Sequence, residues 1–144
     1  MAGHLMSELN GERKRSSNAA KINNRSNKVA AGREAEQLAV HYLLQKGWTL
    51  VERNWRCRAG EIDIIMRDRD IYVFVEVRSK RHASSFGTAI EAIDARKQQR
   101  VRMVAEWYRT THRLHEMKMR FDAIAVTYHP QDEQPRIQHI EAAF

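Results

Sequence analysis

Residues 60–81 read GEIDIIMRDRDIYVFVEVRSKR, and this stretch decides the fold. It contains two short runs rich in Ile and Val, which are joined by the charged segment 67–70. Short β-branched runs bounded by turn-prone residues are typical of strands. The stretch therefore predicts a β-hairpin, and the rest of the domain must pack around it.

The register of this hairpin depends on the position of its loop. With Asp68 and Arg69 in the loop, Asp63 lies opposite Phe74. Because side chains alternate between the two faces of a strand, one face of the hairpin is then apolar. That face consists of Ile62, Ile64, Met66, Val73, Val75 and Val77. The other face carries the charged residues Glu61, Asp63, Glu76, Arg78 and Lys80 around Ile65, Tyr72 and Phe74.

The charged face of the hairpin is its unusual feature. Carboxylates beside a core strand lose hydration, which costs free energy unless a positive charge compensates them. A bound cation would compensate them, and so would Arg78 and Lys80, which follow Glu76 on the same face. Acids and bases on adjacent strands suit the binding of a metal ion next to a phosphate. In the alternative interpretation, the carboxylates are only ion-paired to Arg78 and other basic residues.

The length and the composition of the sequence fit one globular domain. The chain has 144 residues, of which 42% are hydrophobic and 30% are charged. It contains no apolar run near the ~20 residues of a membrane span, so we expect no membrane partner. It also starts without the apolar segment of a secretory signal. A single cysteine, Cys57, excludes an internal disulfide and fits a cytoplasmic protein.

The charge of the chain points to a polyanionic partner. The net charge is +7 and the sequence pI is about 9.9, which suits either a nucleic acid or an anionic membrane surface. Residues 1–31 hold six basic and two acidic residues and show no apolar period. We expect them to form a disordered basic tail, which is either dispensable or an electrostatic arm. Residues 32–144 then form a single domain.

The remaining elements follow from hydrophobic periodicity and turn signals. We predict a helix over 32–46, a strand over 48–56, a loop over 79–88, a helix over 89–110, a strand over 120–128 and an edge strand over 136–140. The order αβββαβ(β) predicts an α/β fold with a mixed sheet of about four to five strands flanked by helices. The second helix then connects two parallel strands.

A basic surface is predicted around the second helix. Residues 78–102 hold seven basic against two acidic residues. Such a face can simply be solvated, but the excess favours contact with a phosphate backbone. The predicted nucleic-acid-binding residues are Arg78, Lys80, Arg81, Arg96, Lys97 and Arg100.

Several short motifs between residues 32 and 127 together form a recognisable pattern. They are Gly32 with Glu36 and Ala39, then Arg53-Asn54-Trp55-Arg56-Cys57, Gly60-Glu61-Ile62-Asp63, Phe74-Val75-Glu76-Val77-Arg78, Phe86-Gly87, Lys97 and Arg120-Phe121-Asp122. This pattern resembles the bacterial YraN-like family, whose function is uncharacterised. The most specific part is the pair of motifs around Asp63 and Glu76, which lie thirteen residues apart.

The resemblance implies a restriction-endonuclease-like fold, similar to that of archaeal Holliday-junction resolvases. It implies that Asp63 and Glu76 are metal-binding carboxylates and that the backbone carbonyl of Val77 is a further ligand. Glu36, on the first helix, would match an additional acidic residue of the resolvase-like branch. Arg78 occupies the position of the superfamily's catalytic lysine. This is a departure from the nuclease pattern, although arginine is familiar there within the YraN-like family.

These residues suggest a metal-dependent chemistry. Carboxylate oxygens from Asp63 and Glu76 suit Mg²⁺ or Mn²⁺, which would polarise a phosphodiester and lower the pKa of a bound water. Arginine stays protonated, so Arg78 could clamp a phosphate but not transfer a proton. Lys80 lies two residues, or ~6–7 Å, further along the strand. It could replace the missing lysine only if the strand bends.

Two hypotheses on function remain open. In the first, the protein is a divalent-metal-dependent nuclease that acts on structured or branched DNA, in repair or recombination. In the second, it is a nucleic-acid-binding or scaffold protein on a nuclease-like fold, with little or no catalytic activity. The fold alone does not separate the two, but the intact acids favour the nuclease. Because junction resolvases act as dimers, a homodimer is a further expectation.

Overall fold

The computed structural model describes the backbone of residues 2–81 and 93–144, and the side chains of 19–81 and 93–144. The chain divides into two compact units, residues 1–33 and 34–144. The elements in chain order are α1 (Ala2–Gln45), β1 (Thr49–Cys57), β2 (Gly60–Asp68), β3 (Ile71–Arg81), α2 (Ala95–Thr111), β4 (Lys118–Tyr128) and β5 (Arg136–Ile140).

Helix α1 is longer than the sequence predicts. It begins at Ala2 rather than at residue 32, and it ends just before Gly47, whose φ of 88° breaks the helical backbone. The side chains of residues 19–30 are all exposed, so this part of the helix buries no apolar face. A helix without such a face gains little from packing. The prediction that residues 1–31 are a disordered tail in solution stays a prediction.

The second unit contains a five-stranded mixed sheet in the order β1-β2-β3-β4-β5. Strands β3 and β4 are parallel, and every other neighbouring pair is antiparallel. Parallel neighbours need a crossover connection, and α2 lies in that connection. The predicted α/β class is confirmed, with the restriction-endonuclease-like arrangement of a mixed sheet and flanking helices. No helix in the described ranges is long and apolar enough to cross a membrane.

The hairpin forms as predicted, but its register is shifted by two residues. Strands β2 and β3 pair Ile65 with Phe74 and Asp68 with Ile71, so the loop is Arg69-Asp70 rather than Asp68-Arg69. Arg69 adopts the left-handed backbone that such a tight turn requires (φ 57°). A shift of two leaves every side chain on its predicted face. Continued by one pair beyond Ile64 and Val75, the register sets Asp63 opposite Glu76, not Phe74.

Two apolar cores cover the two faces of the sheet. One lies on the α1 side and includes Ala35, Ala39, Leu43, Ile64, Met66, Val73 and Val75. The other lies on the α2 side and includes Ile65, Phe74, Val101, Val104, Ala105 and Tyr108. Ile62 belongs to the α2-side core, so its predicted place beside Ile64 is wrong. The alternation of side chains between the two faces of β2 therefore breaks around Asp63. The regular pairing of β2 with β3 also ends there, at Ile64 and Val75.

The segment between β3 and α2 also departs from the prediction. Ser79 to Arg81 continue strand β3, where the sequence predicted a loop. Helix α2 begins at Ala95, because the side chain of Asp94 caps it by accepting a hydrogen bond from the Lys97 N–H (2.8 Å). The helix was predicted to begin at Ala89, and this prediction is wrong for residues 93 and 94, which are not helical. The predicted loop and helix start within 82–92 lie outside the described residues.

Candidate functional site

The candidate site is built around Asp63 on β2 and Glu76 on β3. The Val77 N–H donates a hydrogen bond to Oδ2 of Asp63 (2.9 Å), which fixes this carboxylate against the neighbouring strand. Glu76 is only 1% exposed, and its Oε1 has no hydrogen-bond partner among the described residues. The structure therefore brings together the two acids that the sequence singles out.

The burial of these carboxylates changes their acidity. Burial raises the pKa of Asp63 above its ordinary value, although the hydrogen bond from Val77 opposes the change. Burial, followed by the negative charge of Asp63, raises the pKa of Glu76 to about 7. Both effects disfavour two negative charges side by side in a poorly hydrated place. A cation between the carboxylates would remove this penalty.

Lys97 supplies a positive charge directly to the pair. Its Nζ lies 3.3 Å from Oε2 of Glu76, and its side chain is 32% exposed. Lys97 stands in the first turn of α2, where the cap at Asp94 fixes the start of the helix. From the sequence we predicted only a nucleic-acid contact for this residue. The structure places it at the carboxylates, on an element remote from Glu76 in sequence.

Arg78 follows the carboxylates on β3 but makes no direct ion pair with them among the described contacts. It is half-buried, and its Nε has no hydrogen-bond partner within the described residues. Its charge lowers the pKa of Glu76, though less than Lys97 does. Strand β3 pairs with β4 without a register shift up to Arg81, so the bend that Lys80 would need is not seen. Lys97 is thus a lysine that the structure brings to the pair from outside β3.

Glu36 approaches the pair from helix α1. Burial raises its pKa, and the negative charge of Asp63 raises it further. The side chain of Asn54 is hydrogen-bonded to Glu36 and opposes this shift. Asn54 has a left-handed backbone (φ 52°), which asparagine tolerates better than most residues. In the sequence, Asn54 stands out only as part of a motif, and its contact with Glu36 was not predicted.

The donors at this site fit a hard cation only in part. In the described part of the chain, no three His, Cys, Asp or Glu side chains are grouped closely enough to hold a metal ion. The predicted ligand set needs only two carboxylates and the Val77 carbonyl, which is a backbone oxygen. Oxygen donors of this kind suit Mg²⁺ or Mn²⁺, and Oε1 of Glu76 is an acceptor without a partner among the described residues. The donors therefore match Mg²⁺ or Mn²⁺ in type, but the described side chains alone do not form a complete metal site.

The predicted basic residues divide into two groups. Arg96 and Arg100 are exposed on α2, beside Lys97. The stem of Arg100 crosses the start of β2, since a Cβ added at Gly60 would lie 3.2 Å from its Cδ. Arg81 does not join this group. It lies over the ring of Tyr128 (5.5 Å) and lines a separate cavity of about 320 Å³ with Glu34, Tyr128, His129 and Pro130.

A second cluster of charged residues is buried around Asp122 on β4. Asp122 is fully buried and accepts hydrogen bonds from Arg120 (2.8 and 2.9 Å), from His139 (2.7 Å) and from the Ala142 N–H (3.0 Å). Lys46 Nζ lies 2.8 Å from Nδ1 of His139. Because an ammonium only donates, the ring proton is on Nε2 and points at Asp122. Burial would raise the pKa of Asp122, but these hydrogen bonds outweigh it and lower the pKa.

The fold and the site together define an α/β protein of the restriction-endonuclease-like class with a carboxylate pair on its central hairpin. The family model described as "Uncharacterised protein family UPF0102" matches residues 35–126, which include the whole pair and its neighbours Glu36 and Lys97. The chain belongs to this family. The family assignment made from the sequence motifs is therefore confirmed.

Curated relatives share most of the chain. A UPF0102 protein of Pseudomonas paraeruginosa is 41% identical over 124 residues, which are 85% of this chain and 98% of that protein. One of Stutzerimonas stutzeri is 45% identical over 103 residues, or 71% and 85% of the two chains. One of Rhodococcus opacus is 41% identical over 117 residues, or 81% and 97%. These names state a family but no activity, so the function has to be argued from the site.

Proposed function

We propose that this protein is a divalent-metal-dependent nuclease that hydrolyses phosphodiester bonds in structured or branched DNA. One observation carries the proposal. Buried Glu76 and half-buried Asp63 stand side by side, and Oε1 of Glu76 has no partner among the described residues. Burying two acids together costs several kcal/mol unless a cation or a set of hydrogen bonds compensates them. A site for Mg²⁺ or Mn²⁺ explains why the chain holds them there.

In this proposal the residues of the chain have distinct roles. Asp63, Glu76 and the Val77 carbonyl hold the metal, which when bound polarises the phosphodiester and lowers the pKa of a water. The hydrogen bond from the Val77 N–H keeps Asp63 oriented toward Glu76. Arginine side chains do not act as proton acceptors in proteins, so the role of Arg78 is to bind a phosphate oxygen.

Lys97 fills the role for which Arg78 is unsuited. Its ammonium lies 3.3 Å from Glu76, so it is within reach of a phosphate oxygen or a water held at the carboxylates. Unlike arginine, lysine is a compact charge that can both position a water and exchange a proton. Helix α2 therefore replaces strand β3 as the source of this lysine.

The proposal is tested by cleavage assays with branched and linear DNA in Mg²⁺ and in Mn²⁺. The isosteric variants Asp63→Asn and Glu76→Gln keep the shape of the site and remove one charge each. Glu133→Gln, on an exposed glutamate in the segment between β4 and β5, is the matched control. We expect the control to cleave like the wild type and both site variants to lose at least a hundredfold in rate. Cleavage that survives in both site variants would point to a contaminating nuclease and overturn the proposal.

The second candidate function is a nucleic-acid-binding or scaffold protein with little or no catalytic activity. The ion pair between Lys97 and Glu76 favours it, because this contact already compensates one carboxylate without a metal. Arginine at position 78 favours it as well. The two candidates differ in the expected effect of Arg78→Lys. A gain of cleavage would show that the protein is a nuclease whose activity is reduced by the arginine at position 78. DNA binding without cleavage in the wild type and in this variant would support the binding protein.

A further inference from the structure

We infer that the exposed face of α2 binds an unpaired nucleic-acid strand, and that Trp107 stacks on one of its bases. This inference rests on the proposed function for the class of ligand. It goes beyond that function by assigning a single-stranded arm, rather than a duplex, to one named surface of the protein.

The surface is a single stripe along the helix. Arg96, Arg100, Met103 and Trp107 follow the spacing i, i+4, i+7, i+11, so they lie on one face. All four are exposed, Met103 by 57% and Trp107 by 46%. The opposite face of the helix buries Val101, Val104, Ala105 and Tyr108 in the core. The four residues of the stripe are therefore not part of the apolar core in the described part of the domain.

The two ends of the stripe carry different chemistry. Arg96 and Arg100 stand at the N-terminal end, and neither has an ion-pair partner among the described residues. Arg100 is also held in place, because its stem packs across Gly60. Trp107 stands at the other end. A positive groove combined with an aromatic platform is the usual composition of a single-strand binding surface.

The stripe is continuous with the carboxylate site. Lys97 occupies the same first turn of α2 as Arg96, and its Nζ contacts Glu76 at 3.3 Å. Ten residues separate Lys97 from Trp107, which corresponds to ~15 Å along a helix axis. At the ~3.4 Å stacked spacing of a DNA strand, this length spans about four nucleotides. A strand that leaves the carboxylates along α2 thus reaches Trp107 within a few nucleotides.

A surface depression beside Trp107 fits one planar group. It has a volume of about 280 Å³ and is lined by Glu106, Trp107 and Thr110. This volume is just below the range of small-molecule sites, so it suits one base rather than a larger ligand. The carboxylate and hydroxyl groups in its lining can bond to the edge of a base. Bases within a duplex are already stacked, so only an unpaired base can use this platform.

A second copy of the chain is the competing occupant of this face, and the structure favours it less. A stable dimer interface buries ~800 Å² on each partner. Two exposed apolar residues, Met103 and Trp107, supply only a small part of that area. In a parallel twofold contact on the stripe, Arg96 and Arg100 would also face their own copies and repel them. The same two arginines attract a nucleic-acid backbone.

The test measures binding without cleavage. The full-length protein is titrated in EDTA against a labelled blunt duplex and against the same duplex with a short unpaired arm, by fluorescence anisotropy. We expect Trp107→Ala to weaken binding of the armed DNA about five- to thirtyfold, the usual effect of losing one base–aromatic stack. Binding of the blunt duplex should change less than about twofold. Trp107→Tyr should retain most of the affinity, and Leu44→Ala, which removes another exposed apolar side chain, should have no effect.

Three results would overturn the inference. They are an unchanged affinity of Trp107→Ala for the armed DNA, an equal loss for both DNAs, and a loss that accompanies conversion of a dimer to a monomer in sedimentation. Arg100→Ala gives an independent measurement, since it should lower the slope of log K against log salt by about 0.7 for a single strand. Because EDTA prevents cleavage, these outcomes are separate from the success or failure of the proposed nuclease activity.

Discussion

Replacing Glu76 with glutamine should stabilise the metal-free protein, although it removes a buried ion pair. The carboxyl of Glu76 has a pKa of 4.5 in a model peptide and about 7 in the folded protein. The folded state therefore binds the proton of Glu76 more tightly than the unfolded state does. Glu76 contributes its full stability below pH 4.5, and this contribution is lost as the pH rises through about 7.

The size of the effect follows from the same two values. Each tenfold change in proton affinity is worth ~1.4 kcal/mol, so ionised Glu76 destabilises the fold by roughly 3 kcal/mol above pH 8. In Glu76→Gln this penalty is absent at every pH. We therefore expect the variant to be more stable than the wild type by about 3 kcal/mol at pH 8 in EDTA, and nearly equal to it at pH 4.

The assay is urea denaturation across this pH range, followed by circular dichroism, with Glu106→Gln as an exposed control. Addition of Mg²⁺ at a hundred times its dissociation constant should stabilise the wild type by about 2.7 kcal/mol and leave Glu76→Gln unchanged. A variant that is less stable than the wild type at pH 8 would refute the account of Glu76 as a buried acid that Lys97 compensates only in part. A difference that does not depend on pH would refute it as well.

Three further predictions concern other parts of the molecule. Lys97→Ala should reduce Mg²⁺-dependent cleavage by at least a hundredfold, because Lys97 Nζ lies 3.3 Å from Oε2 of Glu76. Lys80→Ala should reduce it by less than tenfold, because Lys80 lies four residues beyond Glu76 on a strand whose pairing with β4 has no register shift. Both are measured as single-turnover rates, and equal losses would contradict this. Asp122→Asn should lower the free energy of unfolding by about 3 kcal/mol at pH 7, with the loss disappearing at low pH because the pKa of Asp122 is depressed in the folded state. The exposed pair of Asp132 serves as its control, since Asp132→Asn should cost less than about 1 kcal/mol. Gly60→Ala should lower the free energy of unfolding by about 1–3 kcal/mol, measured by thermal melts. Gly60 has a φ of 143°, and the side chain of Arg100 would lie 3.2 Å from the added Cβ. An unchanged melting temperature would show that the Arg100 side chain can move away.

Much of the fold can be predicted from the sequence because its strands are short, β-branched and clearly bounded. The register of the hairpin cannot. The segment Arg67-Asp68-Arg69-Asp70 alternates in charge and contains no glycine, so neighbouring loop positions look alike in the sequence. The observed loop depends on a left-handed Arg69, which sequence patterns do not favour. The side of Ile62 was likewise missed, because alternation assumes a regular strand through Asp63.

The acids of the candidate site were predictable, whereas most of their partners were not. Asp63 and Glu76 stand out because charged residues are rare within core strands. Lys97 lies twenty-one residues beyond Glu76, and only the packing of α2 on the sheet brings the two together. The cluster of Lys46, Asp122 and His139 unites three elements that are distant in sequence. Contacts between residues so far apart in the chain cannot be predicted from local sequence patterns.

The position of Lys97 on helix α2, and not on strand β3, affects which substitutions this family can tolerate during evolution. Arg78 stands two residues after the strand carboxylate, and Lys97 reaches the same carboxylate from α2. If the protein is the proposed nuclease, Lys97 serves in place of a lysine at position 78, so a substitution at that strand position is tolerated as long as helix α2 keeps Lys97. We expect lineages to trade lysine between these two positions and rarely to lose it from both.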